Sequence, residues 1–347
     1  MSDPSPDRVA DIAGQFSHWA AGELRETSPL YARLAQGIAA DPDLPTLAAT
    51  ARSSPVPHLF MGAVQYLLAD HRSDPLAAFY PNLTDPPATG DPYPAFRAFC
   101  LAHGDALTAI LQTRRVQTNE VRRCACLLPA FSLVAQQAAG RPLALIEIGA
   151  SAGFNLLWDR YGYDYGAAGR TGDLQAALQL QCEVRGDHSL PIPAQMPTIA
   201  SRLGIDLHPI NARDPDAVAW LRALIWPEHA TRFQLLDQAV TAVQTDPPEL
   251  WAGDALDLLP RALATVPMGT VPCVFHSFTL NQFTPAGRVQ VAAILAATGA
   301  ARDLAWIGIE GGLGQPYLTL LSWRASCISA RPLARCNPHG GWIEWLA

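Results

Sequence analysis

The chain has 347 residues and a mass of 37.3 kDa, enough for two domains or for one large domain with an addition. Hydrophobic residues make up 49% and charged residues 16%, a composition far from that of disordered chains and sufficient for a sizeable core. A net charge of −7 and a pI near 5.7 supply no basic field for phosphates, which argues against nucleic acid as a partner, and apolar runs such as Val291 to Ala297 are far shorter than the roughly 20 residues of a membrane span. The expectation is a soluble, cytoplasmic protein, monomer or homodimer, that acts on a small molecule.

The first 140 residues read as helices joined by Pro-rich loops. Apolar residues recur at three-to-four spacing in Val9 to Ala20, Ala32 to Ala40, Pro57 to Leu68 and Ala95 to Leu111. The stretch from Arg72 to Pro94, with several prolines plus Asn82, Asp85, Gly90 and Asp91, suits a long ordered loop. Glu120 to Ala139 predicts a further helix ended by Gly140, opening near a helix start at Gln117-Thr118.

From Pro142 short apolar runs alternate with helical segments. Strands are predicted at Leu143 to Ile148, Ile205 to Ile210, Glu249 to Ala252, Val271 to His276 and Leu304 to Ile309. Helices are predicted between them at Asp216 to Leu224, Ala230 to Gln244, Ala255 to Thr265 and Pro285 to Ala297, the pattern of a mostly parallel sheet with crossovers. After Gly314, Tyr317 to Trp323, Pro332 to Cys336 and Trp342 to Trp345 read as an antiparallel edge with a turn at Pro338 to Gly341. The expected fold is α/β: an all-helical cap over residues 1–140 and a Rossmann-like domain over 141–347. The seven cysteines show no paired CxxC knuckles, so reduced thiols and no metal are expected.

Chemistry concentrates in Ala144 to Gly166, where a buried strand ends in Glu147 and passes through Gly149, Ser151 and Gly153 towards a helix beginning near Phe154 and containing Asn155. In one reading the glycines let the backbone approach a ligand, the helix start offers amides, and Glu147 accepts from a ligand amine or hydroxyl. In the other, Gly149 to Gly153 is a G-x-S-x-G nucleophile elbow with Ser151 as nucleophile and a late histidine such as His339 in the triad. Downstream, Asp206 lies within the next apolar strand and Asp254 just after the one that follows.

Acidic residues on successive strands in this order resemble the class I S-adenosylmethionine methyltransferases. The resemblance implies that Glu147, Gly149 and Gly153, with Ser151 and Asn155 in the same loop, hold the methionine end of S-adenosylmethionine. It implies further that Asp206 holds the ribose, and Asp254 with Ala255 the adenine. Ser151 stands where a middle glycine is usual, and the interval to Asp206 carries an extra hairpin-like piece around Leu178 to Val184. At closer range the whole chain resembles the bacterial family called domain of unknown function 2332, through QTNEVRR at Gln117 to Arg123, the Glu147 to Gly166 segment, SRLGIDLHPI at Ser201 to Ile210, Trp226-Pro227, VFHSFTLNQF at Val274 to Phe283 and the final NPHGGWIEWL.

Other polar groups carry two readings each. Asn119, Glu120 and Arg123 are substrate-side candidates or, for the last two, a plain ion pair at i, i+3. Trp158 and Tyr163 would stack on a ligand or pack a core. His276 and Asn281, after the fourth strand, are the candidate catalytic groups, His276 as proton acceptor or as a structural histidine. Asp254 would also cap the helix starting at Ala255.

Overall fold

A computed structural model describes residues 4–22, 24–117, 119–311, 315–325 and 327–347; Thr118, in the predicted helix start, and Gly314, where the pattern changes, lie outside the described residues. The chain divides into two compact units, one of residues 1–118 and 214–234, the other of 119–213 and 235–347. Among the described residues no helix is long and apolar enough to cross a membrane.

The first unit is helical: α1 (Pro6–Ala21), α2 (Leu24–Thr27), α3 (Pro29–Ala40), α4 (Leu44–Ala48), α5 (Val56–Asp70), α6 (Tyr93–Ala102) and α7 (Gly104–Thr113). Ser5 and Ser28 cap α1 and α3 through the amides of Arg8 and Tyr31, each with proline in the first turn. The predicted single helix Ala95 to Leu111 is two, because His103 leaves helical geometry and Gly104 restarts the chain. Phe16, Phe60 and Phe96 pack edge to face at 5.9 and 6.3 Å in its core.

Residues 214–234, with α9 (Pro215–Ala223), belong to this helical unit rather than to the sheet unit in which they were expected. Buried Gln65 donates to Ala223 O and Ile225 O at 3.0 and 2.7 Å, and Trp220 Nε1 to Arg115 O at 2.8 Å. Glu228 accepts from Ser28 Oγ and Leu30 N, and Asp216 from Tyr66 and Arg114. Polar groups buried among apolar ones must be paired, so these bonds define where the segment belongs.

The second unit opens with α8 (Arg123–Ala138), ended by left-handed Ala139 and Gly140. Its strands are β1 (Leu143–Ile148), β2 (Gly162–Asp164), β3 (Arg170–Gly172), β4 (Gln179–Gln181), β5 (Glu183–Arg185), β6 (Ile199–Asp206), β7 (Glu249–Ala252), β8 (Val271–Ser277), β9 (Leu304–Glu310), β10 (Tyr317–Arg324), β11 (Cys327–Cys336) and β12 (Trp342–Trp345). The remaining helices are α10 (Ala230–Thr245), which runs from the first unit into the second, α11 (Ala255–Thr265) and α12 (Pro285–Ala301).

The main sheet has nine strands in the order β5-β12-β11-β10-β9-β8-β1-β6-β7, and β2, β3 and β4 form a small separate sheet. From β7 to β9 every pairing is parallel; β9 to β12 is antiparallel, and β5 closes the edge parallel to β12. The fold is therefore mixed α/β with a large, mostly parallel sheet. The piece around Leu178 to Val184 is not a hairpin: β4 joins the small sheet and β5 the rim of the main one.

β1 is buried on both faces and alternates between two layers. Ala144, Ile146 and Ile148 pack with Leu259 of α11 and Leu295 of α12, while the odd positions face α8 and the Phe154–Arg160 segment, where Phe131 stacks on Trp158 at 4.3 Å. That segment is the helix predicted to begin near Phe154, and it is a 3-10 helix with a non-helical Leu157. Pro129 inside α8 has no amide to offer Ala125 O, and the Tyr165 hydroxyl donates to that carbonyl at 2.7 Å instead.

Candidate functional site

β1 lies between β6 and β8, and chain order runs outward in both directions from it, so the carboxyl ends of β1 and β8 flank the position at which open α/β sheets bind ligands in a crevice. The loop after β1 turns through three left-handed residues, Gly149, Ser151 and Gly153, with φ of 75°, 50° and 78°. A side chain at Gly149 would come within 2.3 Å of Thr279 Oγ1 in the loop after β8, so the two loops interlock only because this residue is glycine.

The loop is held from three directions. Gly149 N and Ala150 N donate to Ile205 O, Ser151 N donates to Asp206 Oδ2 at 2.8 Å, and Asn119 Nδ2 donates to Ser151 Oγ at 2.8 Å. The other Asp206 oxygen accepts from His208 N at 2.8 Å. Asp206 is the last residue of β6, which begins and ends earlier than predicted; its carboxylate ties the end of its own strand to the glycine loop.

Glu147 is 1% exposed and shares the sheet face of α8. Its Oε1 accepts from Asn155 Nδ2 at 2.9 Å, while Oε2 is buried without a partner. Asn155 is oriented by Cys124, whose thiol donates to Asn155 Oδ1 at 3.2 Å. Burial pushes the Glu147 carboxyl up to about 8, with the Asn155 bond opposing, nearby Asp206 adding to the rise and Arg123 restraining it. An unpaired buried carboxyl oxygen costs free energy that a ligand donor restores.

At the end of β9, Glu310 gathers four donors from β8 and the loop that follows it. His276 Nδ1, Thr279 N and Leu280 N lie 2.8, 2.9 and 2.8 Å from Oε1, and Asn281 N lies 3.2 Å from Oε2. Burial alone would raise this carboxyl, but the His276 contact and the loop amides outweigh it and hold it below the ordinary range. Phe278 takes a φ of 54° within the loop, and the buried Arg123 guanidinium lies 4.4 Å from its ring centroid. Arg123 Nε also donates to Pro338 O, and Arg122 Nε to His339 O, both at 2.9 Å, joining the start of α8 to the late turn.

Glu147, Gly149, Ser151, Gly153, Asn155, Asp206 and Asn119 thus converge, with Arg123 at the β8 side. Other expectations need correction. His276 alternates with Val274 onto the α12 side of the sheet, opposite Glu147, and its Nε2 would lie 2.7 Å from any Cβ at Gly308; it supports the loop and does not face the crevice. Asn281 donates its backbone amide to Glu310, and its side chain is exposed. Trp158 and Tyr163 are fully buried, the Tyr163 hydroxyl bonding Trp158 O at 2.5 Å, so they pack the core. Glu120 and Arg123 are both buried, not a surface pair, and Glu120 Oε2 lies 3.8 Å from His339 Nδ1. Asp254 takes the expected cap of α11, through Leu256 N at 2.8 Å, and is exposed beside buried Ala255, while the preceding Gly253 amide bonds Asp206 O.

Sequence reasoning missed Glu310, because the strand was ended at Ile309. Its signal was available: an apolar strand closing on a single acid, the same pattern that marked Glu147.

The model of the family described as an uncharacterized protein conserved in bacteria, DUF2332, matches residues 13–345. The chain belongs to this family. The match spans both units, so the helical unit is part of what defines DUF2332 as much as the sheet and its crevice are. No curated protein and no solved structure matches the chain.

Proposed function

We propose that this DUF2332 chain binds S-adenosylmethionine at the carboxyl ends of β1 and β6, in a Rossmann-like methyltransferase arrangement, and methylates a small acceptor. The observation that carries the reading is Glu147, a buried carboxyl with one unpartnered oxygen directly before a glycine loop at the reversal of strand order. An amino group at the methionine end supplies the donor that Oε2 lacks. Asp206 and Asp254, at the ends of β6 and β7, offer acceptors to the nucleoside end. Bound S-adenosylmethionine supplies an electrophilic methyl group.

The chain's own part is alignment and exclusion of water, which account for most of such a transfer. Asp206 and Asn119 fix the glycine loop, and Glu310 fixes the Phe278–Asn281 loop that would form the acceptor wall, with Asn281 at its exposed end. No proton transfer is assigned to His276, whose ring is seated against Gly308.

One observation favours a second reading, a serine hydrolase: Ser151 has the left-handed backbone that a nucleophile elbow requires. Against it, Ser151 Oγ is held by Asn119, His339 faces Glu120, and the turn runs into a 3-10 helix. Ser151→Gly separates the two. Under the cofactor reading, S-adenosylhomocysteine at about 100 times its Kd adds roughly 2.7 kcal/mol to both proteins, and a thermal melt shows the rise in each. Esterase activity that disappears in Ser151→Gly, with no ligand-induced rise in either protein, would establish the hydrolase.

A further inference from the structure

We infer that an ammonium-bearing ligand binds at Glu147 Oε2 in exchange for the carboxyl proton, so that occupation of the site expels a proton to solvent. The inference rests on the cofactor reading and goes beyond it, because a ligand hydroxyl or amide at the same oxygen would leave the proton where it is.

The geometry fixes which oxygen is involved. Oε1 is committed to Asn155 Nδ2, and Asn155 cannot be turned over without losing the Cys124 thiol as donor to its Oδ1. Oε2 is buried and unpartnered, so it is the oxygen open to a new bond. Around Glu147, α8 presents Arg123 and the Cys124 thiol, which burial pushes well above its ordinary range and keeps neutral. β6 presents Asp206, the 3-10 segment presents Asn155, and β8 presents Phe275 in register. The Asn155 bond and Arg123 favour the ionised form, but burial, aided by Asp206, outweighs them. A neutral carboxyl is therefore the resting state near neutral pH.

An incoming ammonium changes that balance. Placed against Oε2 it supplies both the missing hydrogen bond and a countercharge inside a medium of low polarity, where a paired carboxylate is stable and an unpaired ammonium is not. The step is an acid dissociation: the O–H bond breaks, the proton leaves to bulk water, and the ligand stays protonated. Net charge in the pocket is unchanged.

Calorimetric titration of the full chain with S-adenosylhomocysteine, in buffers of different ionisation enthalpy, counts the protons. With the carboxyl at about 8, release at pH 7, where the ligand amine is already protonated, should be about nine-tenths of a proton per ligand, and it should fall as pH rises through 8. 5′-Methylthioadenosine, which has the nucleoside but no α-ammonium group, should bind without proton release. Glu147→Gln should bind S-adenosylhomocysteine at least ten-fold more weakly and release nothing. S-adenosylhomocysteine binding at pH 7 with no proton release overturns the inference and leaves the cofactor reading standing. Failure of both nucleosides to bind overturns that reading and the inference together.

Discussion

Glu147→Gln is expected to make the protein more stable above pH 8 and to leave it nearly unchanged at pH 5. The carboxyl is raised from an ordinary 4.5 to about 8 in the folded chain. The folded state thus binds more protons than the unfolded state between those values, and stability falls as pH rises through the window. Below pH 4.5 both states are protonated and nothing is lost; above 8 the full cost of a buried carboxylate is present, on the order of 5 kcal/mol. Glutamine keeps the shape and, with its oxygen towards Asn155, the bond to Nδ2, but cannot ionise. Urea unfolding of parent and variant across pH 5 to 9 should give curves that converge at the acid end and separate at the alkaline end. Parallel curves would mean that Glu147 is not the buried acid described.

The second large effect is expected at Glu310. Glu310→Ala removes the acceptor of the Thr279, Leu280 and Asn281 amides and of His276 Nδ1. Hydrogen bonds to a charged group are each worth about 1.5 to 3 kcal/mol, but water reaches the part-exposed loop, so a net loss of about 2 to 4 kcal/mol is expected. Glu310→Gln, with one amide oxygen to accept, should fall between. Amide hydrogen exchange should speed at residues 279 to 281 in both variants while β1 and β8 stay protected. A stability change below about 0.5 kcal/mol, with unchanged exchange in the loop, would contradict the clamp.

The strands that sequence reading placed well, β1, β7 and β12, are those whose ends coincide with a change in residue type: glycine after Ile148, glycine after Ala252, and the Gly341 turn before Trp342. β6 was misplaced, the predicted Ile205 to Ile210 overlapping only its last two residues, because Ser201, Arg202 and Gly204 interrupt the apolar run and its first half is not buried. Helical periodicity located α9, but periodicity reports which face is apolar and not what covers it. The partners that place α9 in the helical unit, Gln65 and Arg115, are about a hundred residues away or more.

At the site, the glycine loop and its two acids were legible because left-handed turns and strand-end carboxylates leave local marks. Which face of the sheet His276 takes was not. It depends on register with β9 and on Gly308, a glycine whose role appears only once the ring lies across it. The aromatic run was ambiguous for a related reason, since Tyr161, Tyr163 and Tyr165 each bury their hydroxyls on a backbone carbonyl that only the folded chain supplies.

The most direct test is an experimental structure of the chain with S-adenosylhomocysteine. The account predicts the ligand against the Gly149–Gly153 loop, its amino group within hydrogen-bond reach of Glu147 Oε2 and its ribose towards the Asp206 end of β6. Ligand density elsewhere, or none there at saturating concentration with the loop and Glu147 unchanged, would contradict it.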